Sequence, residues 1–259
     1  MQARSPDTVH AEEYLALCGE YTDPYEHEKL VRDWEKKSMV AKNVVGDFMR
    51  RAGDPRGKQV LDIGFGNGEY AIAFFQAGAK VCGLEVNSVL LRLAQERAVK
   101  AGARLDLRLY DGAVFPFVNN FFDYAYSISV LEHVSDPAQI LSEASRTLKP
   151  GGKFYLAFPN RLSPKETHTG IWGLNYLSRS WAEYLLRRFW KRNTIEEIHL
   201  HFLSYWKMKR LARRAGLHVV YEHEGRSGIR RVLKRLMAIV GMHHSAILRT
   251  VMVILEKRV

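Results

Sequence analysis

The chain has 259 residues, 47% of them hydrophobic and 26% charged, with 8 prolines. This composition excludes a disordered polymer and fits one large α/β domain, or a domain carrying a cap. The formal net charge of +11 is unevenly placed: residues 1–159 hold 19 Lys+Arg against 21 Asp+Glu, and residues 160–259 hold 20 against 7. A near-neutral first part is therefore joined to a basic part suited to an anionic partner.

Two cysteines, Cys18 and Cys82, exclude a disulfide scaffold and a four-thiolate zinc site, and they suit a reducing compartment. The N-terminus is polar where a secretory leader needs an apolar core. The longest late stretch without Lys, Arg, Asp or Glu, Leu236 to Leu248, has 13 residues, against about 20 for a membrane span. The expectation is a cytoplasmic chain that crosses no membrane.

In chain order, Glu26–Arg51 is a charged amphipathic helical pattern that stops at Gly53-Asp54-Pro55, so residues 1–57 form an N-terminal helical segment before a main domain over 58–259. Lys58–Ile63, Ala79–Glu85, Arg104–Tyr110, Phe122–Ile128 and Lys153–Phe158 are apolar runs of strand length. Their near-continuous apolar character suits parallel strands covered on both faces. Glu69–Ala77, Ser88–Lys100 and Pro137–Leu148 show helical spacing, with Asn87 or Ser88 and Asp136 as N-caps. Lys149-Pro150-Gly151-Gly152 reads as a stop and turn. Tyr205–Ala215 then reads as a helix, Leu217–Glu222 as a strand and Thr250–Glu256 as the last strand. The alternation predicts a doubly wound, seven-stranded Rossmann-like α/β sheet, mostly parallel with the last strand antiparallel. Two insertions interrupt it, 160–203 and 225–248.

The sharpest motif is Val60-Leu-Asp-Ile-Gly-Phe-Gly-Asn-Gly-Glu69, a buried strand that runs into Gly64, Gly66 and Gly68 and then a helix. Glycines there permit unusual backbone angles and close approach of a ligand. The order differs from the G-x-G-x-x-G of dinucleotide sites. Asp62 precedes the loop, and the acid Glu69 beside it would repel a pyrophosphate and accept from an ammonium group, so a cationic or zwitterionic ligand is expected. Glu85 ends the next strand, placed to take both hydroxyls of a ribose, and Asp111 follows the third strand, where it can accept from an exocyclic amine or simply form an Asp-Gly turn.

These residues resemble the class I S-adenosylmethionine-dependent methyltransferases, of the subgroup that includes small-molecule O- and C-methyltransferases of quinone and polysaccharide pathways. The resemblance covers 58–160 strongly and 205–259 loosely. It implies that Asp62, Gly64, Gly66 and Gly68 hold the methionine end of S-adenosylmethionine, Glu85 and Val86 the ribose side, and Asp111 and Gly112 the adenine, with Ser127 on the fourth strand also lining the cofactor. Phe122 to Val134 and Leu141 to Gly152 are similar to the family's fourth strand and following helix. Phe65 departs from the pattern, standing where small or polar residues are common.

A sulfonium methyl is already activated, so catalysis asks for an acceptor held in line and, for a hydroxyl, a base. His133, after the fourth strand, and His168, in the 160–203 insertion, are the candidate bases, with Glu132 and Glu166 as weaker acid–base candidates. His199, His201, His243 and His244 do not form a metal constellation, so no metal is expected. Trp172 and Tyr176 are the candidate substrate residues in an insertion that interleaves aromatics with Arg and Lys, suited either to a packed cap or to a lid for a glycan, lipid or nucleotide-linked substrate. In Ser180 to Arg192, positions 181, 185 and 189 share one helical face. Ile229 to Val240 suits an interfacial helix on anionic lipid at the inner face of the membrane, and equally a packed helix or a dimer contact. The leading expectation is methyl transfer to a small-molecule or lipid- or glycan-linked acceptor, on oxygen. RNA methylation, a non-catalytic cofactor-binding scaffold and, more distantly, a nicotinamide-dependent dehydrogenase are the alternatives, and no RNA-binding signature is visible.

Overall fold

The computed structural model describes residues 40–166, 170–190, 203–223 and 248–258. The chain divides into two compact units, Met1–Tyr126 and Ser127–Val259, with the boundary inside the fourth strand.

In the first unit, helix α1 (40–51) turns Ala41, Val45 and Phe48 inward at three- and four-residue spacing. Phe48 meets Phe74 and Tyr124 edge-on at 5.0 and 5.1 Å. The earlier part of the Glu26–Arg51 pattern lies outside the described residues. Then follow β1 (Gln59–Ile63), α2 (Glu69–Gln76), β2 (Lys80–Glu85), α3 (Ser88–Lys100), β3 (Asp106–Leu109) and β4 (Phe122–Ile128). Val60, Leu61, Ile63 and Leu84 have no exposed surface, as strands covered on both faces require. Each such side chain contributes roughly 1.5–3 kcal/mol by its burial. Asn87 caps α3 by accepting from the backbone N–H groups of Val89 and Leu90.

The second unit holds α4 (Pro137–Thr147), β5 (Leu148–Pro159), a 3₁₀ turn (Leu174–Tyr176), α5 (Arg179–Leu185) running into a π-helical turn (Leu186–Trp190), α6 (Tyr205–Arg214), β6 (Leu217–Glu222) and β7 (Thr250–Lys257). Asp136 caps α4 with Pro137 at its first position, and Ser204 caps α6. The sheet order is β3-β2-β1-β4-β5-β7-β6. β1 runs parallel to β2 and β4, β2 parallel to β3, and β7 antiparallel to both β5 and β6. The expected seven-stranded sheet with an antiparallel last strand is the one observed.

One local expectation is corrected. Lys149-Pro150-Gly151-Gly152 is not a turn between elements: β5 begins directly at Leu148, and Gly151 takes a φ of 74° within it. The ladder to β7 starts at Lys153, so proline and glycine stand in the first residues of the strand, ahead of that ladder, where proline is tolerated. In the helix of the 160–203 segment, Ala182 and Leu186 lie against Leu174, Ile171 and Leu177, and Trp181 is turned out. The π-helical turn widens the helix past Leu185, so spacing counted for an α-helix loses its register there.

The described part of the insertion is tied into a small folded loop. An antiparallel bridge joins Lys165 and Trp172, the Asn175 amide donates to the Ser163 carbonyl at 2.8 Å, and Tyr176 Oη donates to the Leu162 carbonyl at 2.8 Å. No helix among the described residues is long and apolar enough to cross a membrane.

Candidate active site

The site is built from the carboxyl ends of the first three strands. Gly64, Gly66 and Gly68 have φ of 72°, 54° and 80°, the left-handed region, which explains glycine at each alternate position. The Gly64 N–H donates to the Leu84 carbonyl at 2.8 Å, and the Gly68 N–H closes the turn on the Phe65 carbonyl at 2.9 Å. A side chain built on Gly66 would meet nothing within 4 Å, so open space lies over the middle of the turn.

Asp62 sits one residue before the end of β1, between Gly83 of β2 and Tyr126 of β4 in the ladder. Register partners share a face of the sheet. A Cβ on Gly83 would lie 2.6 Å from the Phe65 ring and 2.7 Å from Leu107, so Phe65 fills the space that glycine leaves. The departure at Phe65 is thus matched by Gly83 in the neighbouring strand, and it puts an aromatic wall on the face that carries Asp62. On the other side Tyr126 packs against Tyr70 with ring centroids 5.2 Å apart. Burial among these groups, with the Glu85 charge adding to it, pushes the Asp62 carboxyl up to about 8. Its Oδ2 is buried and has no hydrogen-bond partner among the described residues. An orphaned acceptor of this kind costs free energy unless a donor arrives. Tyr70 and Tyr126 were not singled out by the sequence, and Phe65 only as a departure from the pattern; the tertiary structure brings the three rings around the end of β1.

Glu85 is buried and braces the glycine turn. Its Oε2 accepts from the Gly66 N–H at 3.0 Å, and its Oε1 accepts from the N–H groups of Val86 and Asn87 at 2.9 and 3.1 Å. A carboxylate has about four acceptor positions, so roughly one remains for a ligand hydroxyl without displacing the backbone. Val86 is 58% exposed, and the Cβ position of Gly112 lies 3.5 Å from it, so the ends of β2 and β3 converge on an apolar edge. Asp111 takes the turn role: its Oδ1 accepts from the Ala113 and Val114 N–H groups, which hold the carboxyl below its usual range.

The expectation for Glu69 is corrected. Its carboxylate forms a buried ion pair with Arg97 of α3, so its charge is committed between two helices and is not offered to a ligand. Of the two acids that flank the turn, Asp62 is the one with no ion-pair partner among the described residues.

In the second unit, Ser127 is fully buried in β4. The chain leaves that strand through Ser129, at φ 56°, into a turn closed by the His133 N–H on the Val130 carbonyl. His133 is partly exposed, with Nε2 3.9 Å from Oε1 of the buried Glu132. Glu166 is buried, and Trp172 and Tyr176 are 72% and 58% exposed. His168, His199, His201, His243, His244 and the 229–240 segment lie outside the described residues. Among the described residues, no three His, Cys, Asp or Glu side chains group as a metal site.

Residues 61–156 match a family model described as a methyltransferase domain. A ubiquinone biosynthesis O-methyltransferase of Chromobacterium violaceum is 32% identical over 66% of this chain and 69% of its own length. That of Bordetella bronchiseptica is 29% identical over 67% and 69%. Among solved structures, a SAM-dependent methyltransferase from Aquifex aeolicus superposes with a TM-score of 0.58 at 18% identity, covering 91% of this chain and 99% of that one. At that identity it speaks for the fold alone.

With the glycine turn, the buried acid and these relatives together, the chain belongs to the class I S-adenosylmethionine-dependent methyltransferases. It is an enzyme of that class and its cofactor is S-adenosylmethionine. The site fits that molecule: the Asp62 oxygen has no donor among the described residues, the space over Gly66 is open, and the β2 and β3 ends offer one carboxylate position beside an apolar edge.

Proposed function

We propose that the chain methylates an oxygen of a small-molecule acceptor, free or linked to a lipid or a glycan. The carrying observation is the buried, unpartnered Asp62 carboxyl beside the three-glycine turn. It supports recognition of an amino-acid ammonium at the end of β1, with Glu85 taking a ribose hydroxyl and Val86, Asp111 and Gly112 flanking the base. The printed names of the relatives support oxygen as the methylated atom and a small molecule as the acceptor.

S-adenosylmethionine supplies a methyl group on a sulfonium, already activated toward a nucleophile. The chain's task is orientation and removal of one proton. His133 is the base in this reading: its ring takes the acceptor's hydroxyl proton as the oxygen attacks, and the Glu132 carboxylate stabilises the resulting imidazolium. Glu132 is also one of the weaker acid–base candidates in its own right, as is Glu166. His168 is the second candidate base, and Trp172 and Tyr176 the candidate acceptor contacts. Contact of the basic 229–240 sequence with an anionic membrane, at its cytoplasmic side, would bring the enzyme to a lipid-linked acceptor.

The test incubates the purified chain with S-adenosylmethionine and a lipid extract and follows S-adenosylhomocysteine by mass spectrometry. Release that depends on the extract, with an O-methylated product, supports the reading. Tight cofactor binding without release on any extract refutes it and leaves a scaffold; release with RNA alone moves the acceptor to nucleic acid.

A further inference from the structure

The outward face of α6 carries charge that nothing in the chemistry above uses. In ten residues, Tyr205–Arg214, the helix holds Lys207, Lys209, Arg210, Arg213 and Arg214 and no acid. Tyr205, Met208 and Ala212 are its buried residues. At about 100° per residue, Trp206, Lys207, Arg210, Arg213 and Arg214 fall within an arc of roughly 120° opposite that face. All five are exposed, Trp206 at 46%. Lys209 is accounted for separately: its Nζ donates to Tyr205 Oη at 3.2 Å and lies over the Tyr205 ring, while Tyr205 Oη donates to Glu222. Lys207, Arg210, Arg213 and Arg214 have no acidic partner among the described residues.

Such an arrangement works against the helix itself. Lys207 with Arg210, Arg210 with Arg213, and Arg210 with Arg214 are like-charge neighbours at three- or four-residue spacing, which destabilise a helix. A solvated face gains nothing from that pattern and is ordinarily mixed in sign. A convex row of cations around one exposed indole complements a flat anionic surface, with the indole at headgroup depth and the long basic side chains spread around it. Nucleic acid is matched less well, since non-specific readers track its backbone in a basic groove and base readers bring hydrogen-bonding amides, and this face has neither.

We infer that the outer face of α6 is a docking surface for anionic phospholipid, which holds the enzyme on the bilayer through Lys207, Arg210, Arg213 and Arg214 with Trp206 as the inserted ring. The inference is independent of which acceptor is methylated and draws on none of the residues 229–240.

Co-sedimentation of the full chain with vesicles of phosphatidylcholine, with and without phosphatidylglycerol, reads it. Binding is expected only with phosphatidylglycerol, and it should weaken in salt. Neutralising one cation should cost about fivefold, and all four, Lys207→Gln, Arg210→Gln, Arg213→Gln and Arg214→Gln, at least about a hundredfold. Cofactor affinity, for which no residue of α6 is a candidate, should stay unchanged. Should the fourfold variant melt early, Lys207→Gln with Arg214→Gln gives the same reading at about thirtyfold. Trp206→Phe should remove the blue shift of fluorescence seen on vesicle addition. The inference is overturned by equal binding to both vesicles or by a fourfold variant that binds like the parent. It is equally overturned if neutralising Arg230, Arg231, Lys234 and Arg235 abolishes binding while the α6 variant retains it, or if single-stranded RNA strips the chain from the vesicles.

Discussion

Replacing Asp62 by Asn keeps the shape of a buried side chain and deletes its charge. The carboxyl titrates at about 8, raised first by burial and then by Glu85. At pH 7 most of the free enzyme therefore carries a neutral Asp62, and ionising it for a bound ammonium costs on the order of 1 kcal/mol. The hydrogen bond formed to the ammonium is worth roughly 1.5–3 kcal/mol. At pH 7 the net advantage of Asp over Asn is thus on the order of 1 kcal/mol, roughly severalfold in affinity. At pH 9 the ionisation cost has nearly gone, and the gap should widen to roughly tenfold to a hundredfold. Titration calorimetry of both proteins from pH 6.5 to 9 measures the ratio, in which titration of the ligand itself cancels. The sign follows from linkage: a carboxyl raised in the folded state binds its proton there above the ordinary carboxylate range, so ligand-free stability falls as pH rises toward 8 in the wild type and not in the variant. A ratio that does not change with pH, or an Asn variant that binds equally at pH 9, would refute the reasoning.

Glu85→Ala removes the acceptor for three backbone N–H groups of the turn, and cofactor affinity should fall at least about tenfold, about 1.4 kcal/mol; an unchanged dissociation constant would defeat the ribose assignment. Gly83→Ala drives a methyl into the Phe65 ring and Leu107 and should cost about 1–3 kcal/mol of stability, a fall in melting temperature of roughly 2–10 °C, with Phe65→Leu restoring part of it; an unshifted melt would show that the ring has other places to go. His133→Ala should lower kcat by about a hundredfold or more with cofactor affinity unchanged. Wild-type turnover in that variant would leave the base elsewhere.

The elements themselves were legible along the chain because each depends on neighbours in sequence. β4, α3 and β6 occupy the expected residues end to end, since alternating apolar runs, an Asn87 cap and glycine stops act locally. The three-glycine turn was equally plain, because a left-handed backbone at Gly64, Gly66 and Gly68 admits few other residues. Where two readings of the same local signal exist, the chain alone does not choose between them. Pro150-Gly151 breaks helices wherever it occurs, and pairing with β7 from Lys153 onward is what makes it the start of a strand.

What only the tertiary structure decided is which charges meet. Asp62 and Glu69 flank the same turn and are chemically alike, yet Arg97, 28 residues beyond Glu69, neutralises one and leaves the other buried without a partner among the described residues. Phe65 was an oddity of the loop until strand register placed it over Gly83 and beside Asp62. Composition and periodicity report what each residue prefers; burial and charge pairing arise from groups far apart in the chain, and they exist only once the strands have taken their order.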